Sequence, residues 1–497
     1  MMEAVGYTWL IEHCNLHVPP PSHQSFVSTR SRIETTPGVD VALEFFQSGY
    51  HPGNAPMDHL AFALKYDDLN LHLLSQLFDC LPQQQILDYI HAQPNGKVAR
   101  QIGFLYEFVT GCELPLAQAV GGNYVDLLDR SRHVVASAQK NSRWRINNNL
   151  LGTPQFCPLI RKTKAIEAGL QADFSTQLQT LHEQVSPDLF RRAIDYLYFK
   201  ETRSSYDIEH EQTTPEREER FVAALRAAGR GDSAQALTEA NLTALQNLIV
   251  EPRYAQPGFR EWQNYVGEVP PGRAPIVHYI CPPGEMVAGL MAGLAACAGK
   301  MTDVHPLVRA TVLAFGFVFI HPFEDGNGRL HRYLIHDSLQ RDGLVPPGMI
   351  LPVSATMLRN MHEYDAALEA YSRPLKVLAR YVLDDNEVMT LKNPGQVHGY
   401  YRFPDLTAQA AYIFKVVGQS INQELVAEID FVRNYDQARN AIKNVVDMPD
   451  RKLDRLIKFM HQNKGMLSKA KRHFFAELSD DELGKITVAY REAFQVE

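Results

Sequence analysis

From Pro306 to Ile320 the chain reads PLVRATVLAFGFVFI, apolar on almost every face of a helix. Such a helix offers water no polar stripe and belongs in the middle of a bundle. Upstream, FSTQLQTLHEQV, DLFRRAIDYLYFKET, REERFVAALRAA and QALTEANLTALQNLIV space their apolar residues by three and four. That spacing predicts amphipathic helices through the stretch from Lys162 to Leu248. VAGLMAGLAACAG predicts one more just before the buried helix. Helical spacing also runs from Leu60 to Leu81 and from Ala99 to Val109, among loop-like pieces such as HVPPPSH and TPGVD. Beyond Leu375 the pattern is again mostly helical, down to LSDDELGKITVAYREAF. The exception is EPRYAQPGFREWQNYVGEVPPGRAPIVHYICPPGEM, rich in Pro and Gly, which encloses the short extended run PIVHYIC.

Pro322 ends the buried helix, because it lacks an N–H and disfavours a helical residue before it. RLHRYLIHDSLQRDG then restarts a helix that stops at Gly343. The connecting run, IHPFEDGNGRLHR, crowds a histidine, two acids, Gly-Asn-Gly and two arginines into a loop and a helix start. Glycines let successive backbone N–H groups converge, and the helix dipole adds positive potential, so Gly326, Asn327 and Gly328 suit an anion. Arg329 and Arg332 lie in the first turn, where positive charge opposes the dipole. An anion nearby would justify that placement, and guanidinium forks match phosphate oxygens.

By itself Gly-Asn-Gly reads as a turn and a helix start. No Gly-Lys-Ser/Thr follows it, and His331 stands where a dinucleotide fingerprint needs its third glycine. Asp325 changes the balance, since a carboxylate beside a phosphate loop can hold one Mg²⁺ that bridges phosphate oxygens. His321, at the end of a buried helix, can act as general base on an incoming hydroxyl, an effect worth roughly 10²–10⁴-fold in rate. Phe323 is expected to anchor the loop to the core. Together these groups suit phosphoryl or nucleotidyl transfer.

The run His321-Pro-Phe323-x-Asp325-Gly326-Asn327-Gly328-Arg329-x-x-Arg332 resembles the signature of the Fic family, H-x-F-x-[D/E]-G-N-G-R-x-x-R, at every specified position. The likeness is clearest from about Asp195 to Tyr371. It implies a mainly α fold: a Fic-type helical bundle with a small β-hairpin flap, flanked by further mostly helical regions. It also implies transfer of AMP from ATP, with Mg²⁺, to a Tyr, Thr or Ser hydroxyl of a target protein. By motif position, His321 would deprotonate the hydroxyl and Asp325 would bind Mg²⁺ on the α- and β-phosphates. Gly326, Asn327 and Gly328 would cradle the phosphates, Asn327 near the α-phosphate, with Arg329 on the β-phosphate and Arg332 on the γ-phosphate. APIVHYICPPGEMVAGLM resembles the family's flap, with Ala274, Pro275, Ile276, Val277, His278, Tyr279, Ile280 and Cys281 as the strand that docks a target segment. Tyr364 and Leu368 resemble a position lining the nucleotide pocket.

Many members carry an inhibitory helix, [S/T]-x-x-x-E-[G/N], whose glutamate pairs with the second arginine. RSSYDIEHE supplies Ser205 and Glu209 four residues apart, which implies that Glu209 pairs with Arg332 and obstructs productive ATP. His210 departs from the Gly or Asn usual at the next place, which bears on how tightly that helix fits. The sequence leaves open whether inhibition acts within one chain or across a homo-oligomer, and it keeps removal of AMP, or transfer of another phosphate-containing group at the same site, as the alternative to AMP transfer.

The resemblance divides the chain into 1–160, of unassigned role, and 161–250, with the inhibitory helix near 195–212. A catalytic core follows at 251–375, with the flap near 270–284, and then a helical C-terminal domain at 376–497. Length alone, 497 residues, exceeds one compact core. With 45% apolar and 21% charged residues, no apolar run of membrane length and no signal-like N-terminus, a soluble protein is expected, cytoplasmic by default. An effector delivered without a cleaved signal would have the same composition. A net charge of −8 argues against a general nucleic-acid coat, and six scattered cysteines form neither a disulfide framework nor a zinc pattern. RKLDRLIKFMHQNKGMLSKAKR, residues 451–472, is basic and offers a non-enzymatic alternative, nucleic-acid contact, against the plainer reading of a solvated face. His336-Asp337 resembles the metal dyad of HD phosphohydrolases, but no convincing further ligand set accompanies it, and it reads as a helix-surface pair.

Overall fold

The computed structural model describes residues 2–35, 41–268, 270 and 275–496. Helices carry most of the chain, and the described sheets are small. None of the described helices is long and apolar enough to cross a membrane.

The chain forms two compact units, each drawn from three stretches. One unit comprises Met1–Ala172, Thr214–Leu344 and Asn360–Lys415. At its N-terminal end, Glu3–Val5, His23–Ser28, Ala42–Gln47 and Arg32–Thr35 make a four-stranded sheet in that order. His23–Ser28 runs parallel to Ala42–Gln47. The stretch expected to be helical from Leu60 to Leu81 is two helices, Pro56–Tyr66 and Leu71–Cys80. The break has a polar cause: buried Asp67 accepts from Tyr7 N at 3.0 Å and Ser25 Oγ at 2.5 Å, and Asn70 caps the second helix through Leu73 N. The all-apolar helix runs from Pro306 to Ile320, as its composition predicts, with Leu307, Phe315 and Phe317 at 0% exposure. It packs against Gly284–Lys300 and against the motif helix Asn327–Arg341.

The other unit comprises Asp173–Thr213, Val345–Arg359 and Val416–Glu497. Its long helix Pro187–Ile208 is held by buried Glu201, which accepts from Ser354 N and Oγ, and by Lys200, which pairs with Glu424 at 3.2 Å and Glu428 at 3.0 Å. In the basic run, helix Asp450–Gln462 turns Leu453, Leu456, Ile457 and Met460 inward. Several of the run's cations have local partners: Lys452 pairs with Glu477, Lys471 lies over Phe459, and Arg472 donates to the carbonyls of Phe475 and Leu478.

Candidate active site

A helix leaves its last carbonyls without internal partners, so each needs one from elsewhere. At the end of the Pro306–Ile320 helix those partners build the site. His321 is its C-cap, in the left-handed region at φ 54° and ψ 58°, with its N–H on Phe317 O at 2.9 Å. Its Nδ1 lies 3.2 Å from Val318 O. A carbonyl only accepts, so Nδ1 carries the proton and Nε2 presents its lone pair. Phe319 O accepts from the Tyr279 hydroxyl. Ile320 O, His321 O and Pro322 O all accept from Arg260, the last from its backbone N–H at 2.8 Å. Burial, then the Arg260 guanidinium, push the His321 imidazole down to about 4, against upward pulls from the Val318 carbonyl and Asp325. The imidazole is therefore neutral at physiological pH.

The loop that follows is fastened by its own side chains. Phe323 is fully buried against Phe259 and Phe317, the anchoring role expected of it. The Asn327 amide spans the loop, accepting from Phe323 N at 3.0 Å and donating to Phe323 O at 2.8 Å. Its side chain is thus occupied, and what Asn327 offers an anion is its main-chain N–H. Gly326 enters the motif helix at φ 87°, and as a glycine it has no side chain of its own to cap that N-terminus. A β-carbon on Gly326 would sit 2.9 Å from Val250 Cγ1. The first intrahelical bond is Leu330 N to Gly326 O, so the preceding N–H groups have no partner within the helix ladder and converge at its N-terminus.

Arg329 and Arg332 are both buried in the first turns. Arg329 donates to Asp325 Oδ1 at 2.6 Å, which offsets its unfavourable place at the helix start; Gly326 N donates to the same oxygen at 2.6 Å. The Asp325 side chain is 37% exposed. A hard carboxylate oxygen, partly open to solvent beside a helix N-terminus, fits Mg²⁺, which takes one or two carboxylates and fills its shell with phosphate oxygens and water.

The flap strand is Ile276–Ile280, paired antiparallel with Tyr265–Glu268. Ala274 lies outside the described residues. Pro275 and Cys281 flank the strand instead of belonging to it, although Cys281 N still bonds to Asn264 O. Val277 and Tyr279 face inward, while Ile276 and His278 are exposed. Tyr364 is buried in a stack with His331 and Tyr412, ring centroids 6.1 Å from each, and Leu368 is half-buried.

Ser205 is buried in the last turn of helix Pro187–Ile208, and Glu209 is its C-cap. His210 N bonds to Asp207 O and Glu211 N to Tyr206 O, with His210 at φ 55°. This is a Schellman termination, whose left-handed position is filled most readily by Gly or Asn. The departure at His210 therefore preserves the backbone turn. The His336-Asp337 pair is not on a helix surface: both residues are buried, and Asp337 accepts from Gly229 N at 2.8 Å and Arg341 Nε at 2.6 Å. An aspartate committed to capping and pairing in the core is structural.

Three positioning residues escaped the sequence reading. Arg260 gathers the carbonyls described above. Gln246 donates to Asp325 O at 3.2 Å, and Gln256 exchanges bonds with Glu324, accepting from its N–H and donating to its carboxylate. PGFR, just before the flap, was the available signal for Arg260, an arginine in an otherwise loop-like stretch.

Residues 236–339 match the model of the Fic/DOC family, so that stretch of the chain is a Fic domain. Over 85 residues it is 36% identical to protein adenylyltransferase fic-1 of Caenorhabditis elegans, covering 17% of this chain and 15% of that protein. Over 83 residues it is 37% identical to the Caenorhabditis briggsae protein of the same name, covering 16% and 15%. The chain thus spans about a seventh of the length of these relatives. A Fic family protein of Desulfovibrio desulfuricans G20 aligns with 62% of this chain and 89% of its own, at 18% identity and a TM-score of 0.41.

Proposed function

We propose that this protein is an adenylyltransferase, moving AMP from ATP to a Tyr, Thr or Ser hydroxyl of a target protein. The observation that carries the reading is a neutral histidine with Nε2 presented, one short loop away from a glycine-entered helix N-terminus flanked by two buried arginines. Base and anion cradle are the two halves of a nucleotidyl transfer. The Fic domain and the adenylyltransferase names of the two nematode relatives support it.

In this reading the main-chain N–H groups of Asn327 and Gly328 hold the α-phosphate region, Arg329 the β-phosphate and Arg332 the γ-phosphate. Asp325 would hold Mg²⁺, which when bound neutralises charge on the phosphate oxygens. His321 Nε2 takes the proton of the target hydroxyl, the oxygen bonds to the α-phosphorus, and the bond to the bridging oxygen breaks to release pyrophosphate. The exposed residues of Ile276–Ile280 lie on the strand that would align an extended target segment by main-chain pairing. Glu209 acts as a brake by competing with the γ-phosphate for Arg332, an assignment that rests on the sequence resemblance.

The test is intact-mass analysis after incubation with Mg²⁺ and a panel of nucleotides. Glu209→Gly should gain AMP adducts from ATP faster than the parent chain, and the Glu209→Gly, His321→Ala double variant should gain none. An adduct other than AMP, or removal of AMP from a modified target, would replace the proposed reaction. Equal rates with and without Glu209 would remove the brake.

A further inference from the structure

Arg260 is 1% exposed, and its guanidinium bonds go to main-chain carbonyls of three separate segments. Nε donates to His321 O at 2.7 Å, Nη1 to Trp262 O at 2.5 Å, and Nη2 to Pro282 O at 2.8 Å and Ile320 O at 3.3 Å. Its own backbone N–H reaches Pro322 O at 2.8 Å. Two of these acceptors belong to the end of the Pro306–Ile320 helix and its C-cap, where the dipole is negative and favours a cation. Pro282 is the exit of the flap strand, two residues beyond Ile280.

We propose that Arg260 is a positioning residue, fixing the catalytic base and the target-docking flap against each other through these carbonyls. The inference rests on His321 being the base of the transfer.

Three features argue for positioning over general packing. The bonds converge on the one residue of the loop that is both left-handed and chemically active, a backbone state that side-chain-bearing residues rarely adopt. Holding His321 O and Ile320 O keeps the helix end closed, and that closure sets Val318 O within reach of Nδ1 and so fixes the tautomer that leaves Nε2 free. The same guanidinium holds the flap exit, while Tyr279 independently ties the strand to Phe319 O, the carbonyl just before Ile320. The anion cradle has different supports, Asn327, Phe323 and Gln246, and Arg260 bonds to none of its N–H groups. A fork of five N–H donors suits this cluster, whereas a lysine can serve only part of it.

The test uses the full chain carrying Glu209→Gly, with Arg260→Met and Arg260→Lys added separately. Automodification is followed at varied ATP, melting is recorded for each variant, and long-range ¹⁵N correlation reads the His321 tautomer, assigned by the peak missing in His321→Ala. Arg260→Met should lower kcat by about 100-fold, the scale of a small misplacement of a reacting group. KM for ATP should change less than about threefold while the His321 spectrum moves from the pure Nδ1–H form to a mixture, and Arg260→Lys should recover about tenfold of the lost rate. If Arg260→Met fails to fold, Arg260→Lys carries the test through the same split between kcat and KM. Unchanged kcat and tautomer would overturn the proposal, and so would kcat and ATP affinity falling together in step with melting. Loss of the tautomer in a parent chain that transfers no AMP would refute the adenylyl reading while supporting Arg260's hold on His321.

Discussion

Replacing Asn327 with alanine should loosen the whole anion loop, because that side chain is spent on the backbone. It accepts from Phe323 N at 3.0 Å and donates to Phe323 O at 2.8 Å, and it is 2% exposed. Each buried main-chain group left without a partner costs about 1–3 kcal/mol, so two orphaned groups cost about 2–6 kcal/mol. Since about 1.36 kcal/mol is a factor of ten, amides of the 321–330 segment should lose roughly 30-fold to 20,000-fold of their hydrogen-exchange protection. Asn327→Asp keeps the acceptor for Phe323 N and loses the donor, so its loss should be roughly half of that in free energy. Exchange read by mass spectrometry is the right assay, because it reports local opening without assuming two-state unfolding of a chain with two units. Protection within about threefold of the parent in Asn327→Ala would refute the claim that this amide braces the loop.

Gly326→Ala combines a left-handed residue, worth about 1–2 kcal/mol, with a β-carbon 2.9 Å from Val250 Cγ1. ATP affinity by calorimetry should fall about tenfold or more, and Val250→Ala should recover part of the loss by removing the contact while the backbone strain stays. His321 is depressed from 6.5 to about 4, so the folded state binds fewer protons than the unfolded one between those values. Stability should therefore fall as pH drops through that window, and the His321 ring signals should show no inflection between pH 5 and 8. An inflection near 6.5 would contradict the buried, Arg260-facing environment. His331 and His72, both pushed down to about 3 by burial, add to the acid lability in the same direction.

The motif was legible because its chemistry is local. Thirteen consecutive residues carry the proposed base, the loop anchor, the glycines of the proposed anion site and both arginines, and the apolar helix before them marks its own ends at Pro306 and Pro322. The anchoring of Phe323 followed from the same pattern. What stayed hidden depends on distant segments meeting. Arg260 looks like any loop arginine until the carbonyls of residues 262, 282, 320 and 321 surround it. The parallel pairing of His23–Ser28 with Ala42–Gln47 has no turn signal to announce it. Asp67 interrupts helical spacing through partners at Tyr7 and Ser25, far along the chain. Asp337 looked solvated because a charged residue usually is, and its burial is supported by the N–H of the turn residue Gly229, a partnership that periodicity does not reveal.

The central claim is that AMP, and not the terminal phosphate, is what leaves ATP for a protein hydroxyl with His321 as base. The most direct measurement compares α-labelled and γ-labelled ATP with the Glu209→Gly chain in Mg²⁺. The account predicts stable protein label from the α-position alone, released pyrophosphate in equal amount, and neither product when His321→Ala is added. Label arriving from the γ-position, or α-label that persists without His321, would contradict it.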